Sequence, residues 1–93
     1  MPSKKLFQIK ASDEDLKGRY SNVLQISHGK EEFVLDYMLI HLPSPQFISR
    51  IIVSPGHIKR MIKALQDNLD KFEDKFGKVE ELDEPKMGFK PKN

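Results

Sequence analysis

The sequence contains no cysteine and no long apolar run, and these two absences exclude several classes of protein. Without cysteine the chain cannot form a disulfide or a thiolate metal site, and such a composition suits a reducing compartment. No stretch approaches the roughly 20 apolar residues of a membrane-spanning helix. Residues 1–10 also lack the apolar run of a signal peptide. The sequence therefore predicts a cytoplasmic protein with no membrane segment.

Catalytic and cofactor motifs are absent as well. The Ser, Gly and Lys residues form neither a nucleophile elbow nor a phosphate-binding P-loop. His28, His41 and His57 are 13 and 16 residues apart, which is not the i, i+4 spacing of a helical metal site. Asp36 is the only acid inside a predicted apolar strand, and a structural pair with Arg50, or a place inside a dimer interface, explains it better than catalysis does. We therefore expect no enzyme activity, no metal and no cofactor.

The length and charge describe one small domain. Ninety-three residues, 38% hydrophobic and 32% charged, suit a single globular domain whose thin core benefits from a partner chain. The net charge is +2. Residues 1–63 carry 10 Lys/Arg against 6 Asp/Glu, and residues 64–93 carry 6 against 8. A nucleic-acid-binding protein of this size is usually more basic, so the composition argues mildly against that role.

Alternating apolar and polar residues predict an antiparallel sheet of three to four strands. The strands are expected at about 19–28, 32–41 and 48–53, with a further short edge strand at about 6–10. Gly29 is expected to supply the positive φ of the first hairpin turn. Strands 32–41 and 48–53 are apolar on both faces, whereas a half-solvated antiparallel strand alternates. We therefore expect a helix on one face of the sheet, and a homodimer or larger assembly built through the other face or through the helix.

Residues 55–76 are predicted to form one long amphipathic helix. Ser54 occupies the N-cap position, Pro55 the first helical position and Gly77 the C-cap position. Its apolar residues form a stripe about 100° wide, called here the apolar seam: Ile58, Met61, Ile62, Leu65, Leu69, Phe72 and Phe76. The seam covers fewer than three heptads, which favours packing on the sheet over a coiled coil. The chain is thus predicted to be a single α+β domain over residues 6–77, with a flexible N-terminus (1–5) and a flexible charged tail (78–93).

The start of this helix is the best candidate for an anion- or partner-binding site, through His57, Lys59, Arg60 and Lys63. Cations there oppose the partial positive charge of the helix start, so an anionic partner would explain them. The alternative is that they are solvated side chains, because the three cations lie opposite the seam. A second set is predicted to form the core or an oligomer interface: Leu35, Tyr37, Leu39, Ile48 and Ile52.

Two segments resemble the small prokaryotic domain-of-unknown-function family 3467. They are YSNVLQISHGKEEFVLDY (20–37) and RIIVSPGHIKRMIKALQDNLDKFEDKFG (50–77). The family's motifs include a tyrosine-alanine-asparagine start, a serine-histidine turn and a serine-proline-x-histidine helix opening. Ser21, Gly56 and Phe72 depart from the usual residues, and Gly56 weakens the first helical turn. The resemblance covers about residues 19–77 and implies no activity.

The sequence thus predicts a small, oligomeric, non-enzymatic binding or adaptor protein, including chaperone-like binding of polypeptides. The strands followed by a long helix are similar in architecture to the subunit of the SecB export chaperone, an analogy that does not establish function. The alternative is a nucleic-acid-associated protein that uses the basic helix start together with Arg19, Tyr20 and Lys30. The expected partners are a second copy of the chain and an unknown protein, with nucleic acid less favoured and no membrane.

Overall fold

The computed structural model of the protein describes residues 6–82, which form three strands and two helices. In chain order these are α1 (Asp13–Lys17), β1 (Val23–His28), β2 (Phe33–Leu39), β3 (Gln46–Val53) and α2 (Pro55–Phe76). The α+β class is as predicted from the sequence, and α2 has the predicted bounds. The N-terminal segment 1–5 and residues 83–93 of the predicted tail lie outside the described residues.

The three strands form one antiparallel sheet in the order β1-β2-β3. Val23 lies opposite Met38 and His28 opposite Phe33 between β1 and β2. Between β2 and β3 the register shifts after the Tyr37–Ser49 pair, so that Met38 pairs with Phe47. Ile48 is therefore the extra residue of a β-bulge. The apolar pattern predicts the strands but not this irregularity.

The prediction of an edge strand at 6–10 is wrong. Residues 6–10 belong to no strand, and Leu6, Phe7 and Ile9 are all strongly exposed. Alternation over five residues is too weak a signal when no neighbouring strand buries one of the two faces. The sheet therefore has three strands within the described residues.

The hairpin between β1 and β2 also differs from the prediction. The Gly29 N–H donates to the Glu32 carbonyl at 2.9 Å, which closes a four-residue connection. The glycines with positive φ among the described residues are Gly18 and Gly77, not Gly29. A four-residue loop does not require the positive φ of a two-residue hairpin turn.

Side-chain hydrogen bonds extend the contact between β1 and β2 beyond the start of β1, together with the Asn22 N–H, which donates to the Met38 carbonyl at 3.1 Å. The prediction began this strand at 19, but β1 begins at Val23. Ser21 Oγ donates to the Met38 carbonyl at 2.8 Å. The Asn22 side-chain amide donates to the Ile40 carbonyl at 3.0 Å and accepts from the Ile40 N–H at 2.8 Å. Asn22 thus continues the ladder with its side chain, holding β1 to the end of β2.

Each helix begins at a side-chain cap. Ser12 Oγ accepts from the Asp15 N–H at 3.1 Å, and the Asp15 carboxylate accepts from the Ser12 N–H at 3.1 Å, a reciprocal capping box. Ser54 Oγ accepts from the His57 N–H at 3.2 Å at the start of α2. Gly77, at φ 98°, ends α2 with its N–H bonded to the Glu73 carbonyl at 2.9 Å. The predicted caps at Ser54 and Gly77 are therefore confirmed.

The buried core is small and lies in the sheet. Its apolar members are Val23, Leu35 and Met38, of which Leu35 is the most deeply buried at 2% exposed. No residue of α2 is buried. The helix therefore leaves much of its apolar seam accessible to solvent, instead of closing the sheet as a conventional core-facing helix does.

Candidate binding groove

An apolar groove separates α2 from one face of the sheet. Its floor consists of alternate residues of β1 and β2, and its wall is the first half of α2. We call this the α2 groove, and its lining is Leu24, Ile26, Phe33, Leu35, Tyr37, Ile58, Met61, Ile62, Ala64, Leu65 and Asn68. Because the period of a strand is two, the five sheet residues project from the same face.

The α2 groove has the size and chemistry of a binding site. Its volume is about 650 Å³, within the usual range of ligand pockets. No charged side chain lines it, and Tyr37 and Asn68 supply the polar groups of the lining. Ile62 and Leu65 are exposed despite facing the sheet. The groove is therefore an open apolar surface rather than a closed cavity.

The apolar seam continues past the groove towards the end of α2. Leu69, Phe72 and Phe76 are exposed and do not line the groove. The rings of Phe72 and Phe76 lie 4.9 Å apart and are tilted by 47°, a favourable aromatic arrangement. The groove and the rest of the seam therefore lie along one side of α2 with apolar side chains exposed, a feature that often marks a binding surface.

An ion pair between a buried carboxylate and an exposed guanidinium lies on the opposite face of the sheet. Asp36 and Arg50 are directly opposite each other on β2 and β3. Arg50 Nε donates to Asp36 Oδ1 at 2.7 Å, and a terminal guanidinium nitrogen donates to Oδ2 at 3.0 Å. This bidentate geometry gives a strong, well-oriented pair. The predicted Asp36–Arg50 pair is therefore confirmed.

The pair sets the protonation of both groups. The hydrogen bonds from Arg50 lower the pKa of Asp36, helped by the guanidinium charge and opposed by burial of the carboxylate. The same bonds raise the pKa of Arg50. Gln25 lies opposite Asp36 on β1, and its Oε1 is buried without a hydrogen-bond partner within the described part of the chain. The lowered pKa of Asp36 differs from that of a general base poised near neutral pH.

The residues predicted to bind an anion lie on the exposed outer side of α2. His57, Lys59, Arg60 and Lys63 are all exposed, and none of them lines the α2 groove. Among residues 6–82 the side-chain ion pairs are Lys17–Glu14 and Arg50–Asp36, so these cations have no acidic partner there. The arrangement fits a solvated face as well as an anion site, and the site stays a prediction.

The residues predicted to form the core or an interface separate into different environments. Leu35 is buried, whereas Tyr37, Leu39 and Ile48 are half-buried and Ile52 is exposed. Leu35 and Tyr37 line the α2 groove, while Ile48 sits at the bulge. The pattern did not single out Leu24 and Ile26 as site residues, although it places both on one face of β1. The sequence pattern did not show that α2 lies above these two residues.

The histidines and acids of residues 6–82 show no metal-binding arrangement: no group of three His, Cys, Asp or Glu is placed to hold an ion. The His28 ring packs against Phe33, with ring centroids 5.4 Å apart. His41 Nδ1 lies 3.0 Å from the Leu42 carbonyl. These contacts of His28 and His41 are local.

Neither helix of this part of the chain has the length and apolarity needed to span a bilayer.

Comparison with known proteins identifies the family. The family model described as "Protein of unknown function (DUF3467)" matches residues 1–81, so the chain belongs to that family. The resemblance seen over residues 19–77 is thereby confirmed and extended. No curated protein and no solved structure matches the chain, and the architectural analogy to SecB stays without support.

Proposed function

We propose that this member of the DUF3467 family is a cytoplasmic, non-enzymatic, homo-oligomeric adaptor whose α2 groove binds a helical apolar segment of another polypeptide. The observation that carries the proposal is the open groove of about 650 Å³ with an uncharged, almost wholly apolar lining. Burial of apolar area is the main favourable term in binding to such a surface. The lining suits an apolar partner and offers nothing to a phosphate backbone.

The groove suits a helix better than an extended peptide. Its floor is a sheet face, where the backbone groups of β2 already bond to β1 and β3, and its wall is a helix whose backbone bonds are internal. An extended ligand lying across this face would therefore leave its own backbone groups without partners, except along the outer edge of β1. A helix satisfies those groups itself and presents apolar side chains at i, i+3, i+4 and i+7.

The length of the groove agrees with this ligand. Its α2 wall runs from Ile58 to Asn68, about 15 Å at 1.5 Å per residue. That length accommodates about three turns of a ligand helix, or three to four apolar anchors. A segment of this size supports micromolar rather than nanomolar affinity, because binding must offset the ordering of the ligand.

The test is binding of a fluorescent amphipathic 15-residue peptide, measured by anisotropy, with a scrambled peptide of the same composition as reference. The variant is Leu65→Glu, which places a charge in the groove, and the control is Phe76→Glu. Both side chains belong to α2 and both are 66% exposed, but only Leu65 lines the groove. We expect Leu65→Glu to weaken binding at least tenfold and Phe76→Glu to leave it within about twofold.

Two results would overturn the proposal. One is equal binding of the amphipathic and scrambled peptides. The other is retention on a DNA and RNA mixture that falls steeply with salt and is lost in Lys59→Glu/Arg60→Glu but not in Leu65→Glu. That outcome would move the function to the basic start of α2, the predicted alternative.

A further inference from the structure

The outer edge of β3 carries unpaired backbone groups. The Gly29–Glu32 bond fixes which pairs of β1 and β2 are hydrogen-bonded, because such pairs alternate along an antiparallel ladder. The backbone groups of Phe33, Leu35 and Tyr37 therefore point to β3, where their partners are Val53, Ile51 and Ser49. The intervening residues, Arg50 and Ile52, direct their N–H and C=O groups away from the sheet. Within residues 6–82 no strand pairs with this edge.

The β3 edge has little protection against pairing with another chain beyond the bulge at Ile48, which lies outside residues 49–53. Natural edge strands are short, or carry proline, a bulge or an isolated charge. β3 has eight residues, QFISRIIV, without proline. Its one charged residue, Arg50, is not an isolated charge, because it is paired with Asp36 through a bidentate bond. Ile51 and Ile52 are exposed on opposite faces of the strand.

The other edge strand is a weaker candidate. β1 has six residues, and two of them, Leu24 and Ile26, lie under α2 in the groove lining. No residue of β3 lines that groove. The half of the sheet that α2 does not cover is therefore the half with the long, β-branched edge.

We propose that β3 pairs antiparallel with β3 of a second copy about a two-fold axis at Ile51, which makes one six-stranded sheet. This deepens the homo-oligomeric part of the proposed function and does not depend on ligand binding in the α2 groove. Arg50 of each copy then lies opposite Ile52 of the other, and their outward backbone groups form four hydrogen bonds. The alternative axis at Arg50 places like charges directly opposite each other, which is unfavourable.

The contact is small and suits a weak, reversible dimer. With the axis at Ile51, residues 49–53 of the two strands pair, and Ile51 and Ile52 become partly buried, which is an interface of the size found in weak and transient complexes. Both α2 helices lie on the same side of the joined sheet, because a two-fold axis perpendicular to the sheet does not exchange the two faces of the sheet. The dimer thus presents two α2 grooves side by side, which gives a ligand with two apolar segments an avidity gain.

The first test uses single cysteines in this cysteine-free chain. In the proposed register the two Ile51 residues form a non-hydrogen-bonded pair with Cα atoms about 4.5 Å apart, within the range that a disulfide spans. We expect Ile51→Cys to form a disulfide-linked dimer at least tenfold faster than Ser27→Cys, an exposed residue of β1. Both variants are oxidised natively and again in 6 M guanidinium, where the difference must vanish.

The second test uses lysine at one position on each edge strand. Ile52 on β3 and Ile26 on β1 are both 54% exposed. We expect Ile52→Lys to raise the dimer dissociation constant at least tenfold, measured by light scattering over a concentration series. Ile26→Lys should leave that constant within about threefold and weaken peptide binding in the groove instead. The proposal requires both results, and failure of either the cross-link or the lysine effect overturns it. Failure of the wild-type protein to bind the amphipathic peptide contradicts the groove and leaves the β3 dimer standing.

Discussion

Replacing Arg50 by Met should destabilise the protein more than replacing its partner Asp36 by Asn. Asp36 is 6% exposed, whereas the Arg50 side chain is 57% exposed. Loss of Arg50 leaves a buried carboxylate without its two charge-assisted bonds, and an unsatisfied buried polar group of this kind lowers stability by about 1–3 kcal/mol. Loss of the Asp36 charge leaves a guanidinium that water can solvate, so Asp36→Asn lowers the free energy of unfolding by less than Arg50→Met does.

The same asymmetry predicts opposite dependences on pH. In the wild type the Arg50 bonds lower the pKa of Asp36, so the pair's contribution is present above the ordinary carboxyl pKa and is lost as pH falls through the folded-state value. In Arg50→Met both contributions of Arg50 are removed. The remaining cause of a shift is burial, which raises the pKa of Asp36. The free energy of unfolding of Arg50→Met is then furthest below that of the wild type at neutral pH. Protonation of Asp36 reduces this difference as the pH falls through the raised pKa.

The assay is urea unfolding followed by circular dichroism at pH 7 and pH 3, at one protein concentration. We expect a gap of about 2 kcal/mol between wild type and Arg50→Met at pH 7 that narrows at pH 3. Lys17→Met is the matched control, because the Lys17–Glu14 pair is exposed on both sides and should contribute little. Equal losses from Arg50→Met and Asp36→Asn, or a gap that does not change with pH, would refute the argument.

Three further substitutions test the fold, each by the free energy of unfolding in urea. Gly56→Ala should stabilise the protein by about 0.5–1 kcal/mol, because the new Cβ meets only the Arg60 guanidinium at 3.7 Å; a loss would contradict this. Ser54→Ala should lower stability by about 1 kcal/mol through loss of the bond to the His57 N–H, and no change would show that the cap is unimportant. Gln25→Met should be neutral or stabilising by up to about 1 kcal/mol, since it removes a buried acceptor without a partner, whereas a clear loss would reveal a bond to Oε1.

Local signals predicted the elements of this fold well. The spacing of the seam with Ser54, Pro55 and Gly77 predicts the bounds of α2, because caps and periodicity act within a few residues. The Asp36–Arg50 pair followed from a lone acid in an apolar strand. The strand predicted at 6–10 failed because alternation does not show whether a partner strand exists.

The groove depends on information that the sequence pattern does not carry. The seam predicts that α2 faces the sheet, but not that Ile62 and Leu65 remain exposed there. The gap between α2 and the sheet depends on the connection from β3 into α2 and on the direction in which the helix leaves Pro55. The free edge of β3 likewise required the register, including the bulge at Ile48, which is set by tertiary packing.

The most direct test of the groove is a methyl NMR titration of the wild-type protein with the amphipathic peptide. Methyl groups report on apolar contact, and Ile, Leu and Met residues occur both inside and outside the groove. We predict saturable shifts at Leu24, Ile26, Ile62 and Leu65, with Leu42, which is exposed and outside the groove, unchanged. Saturable binding without shifts at those four residues, or no binding at all, would contradict a groove that receives an apolar helix.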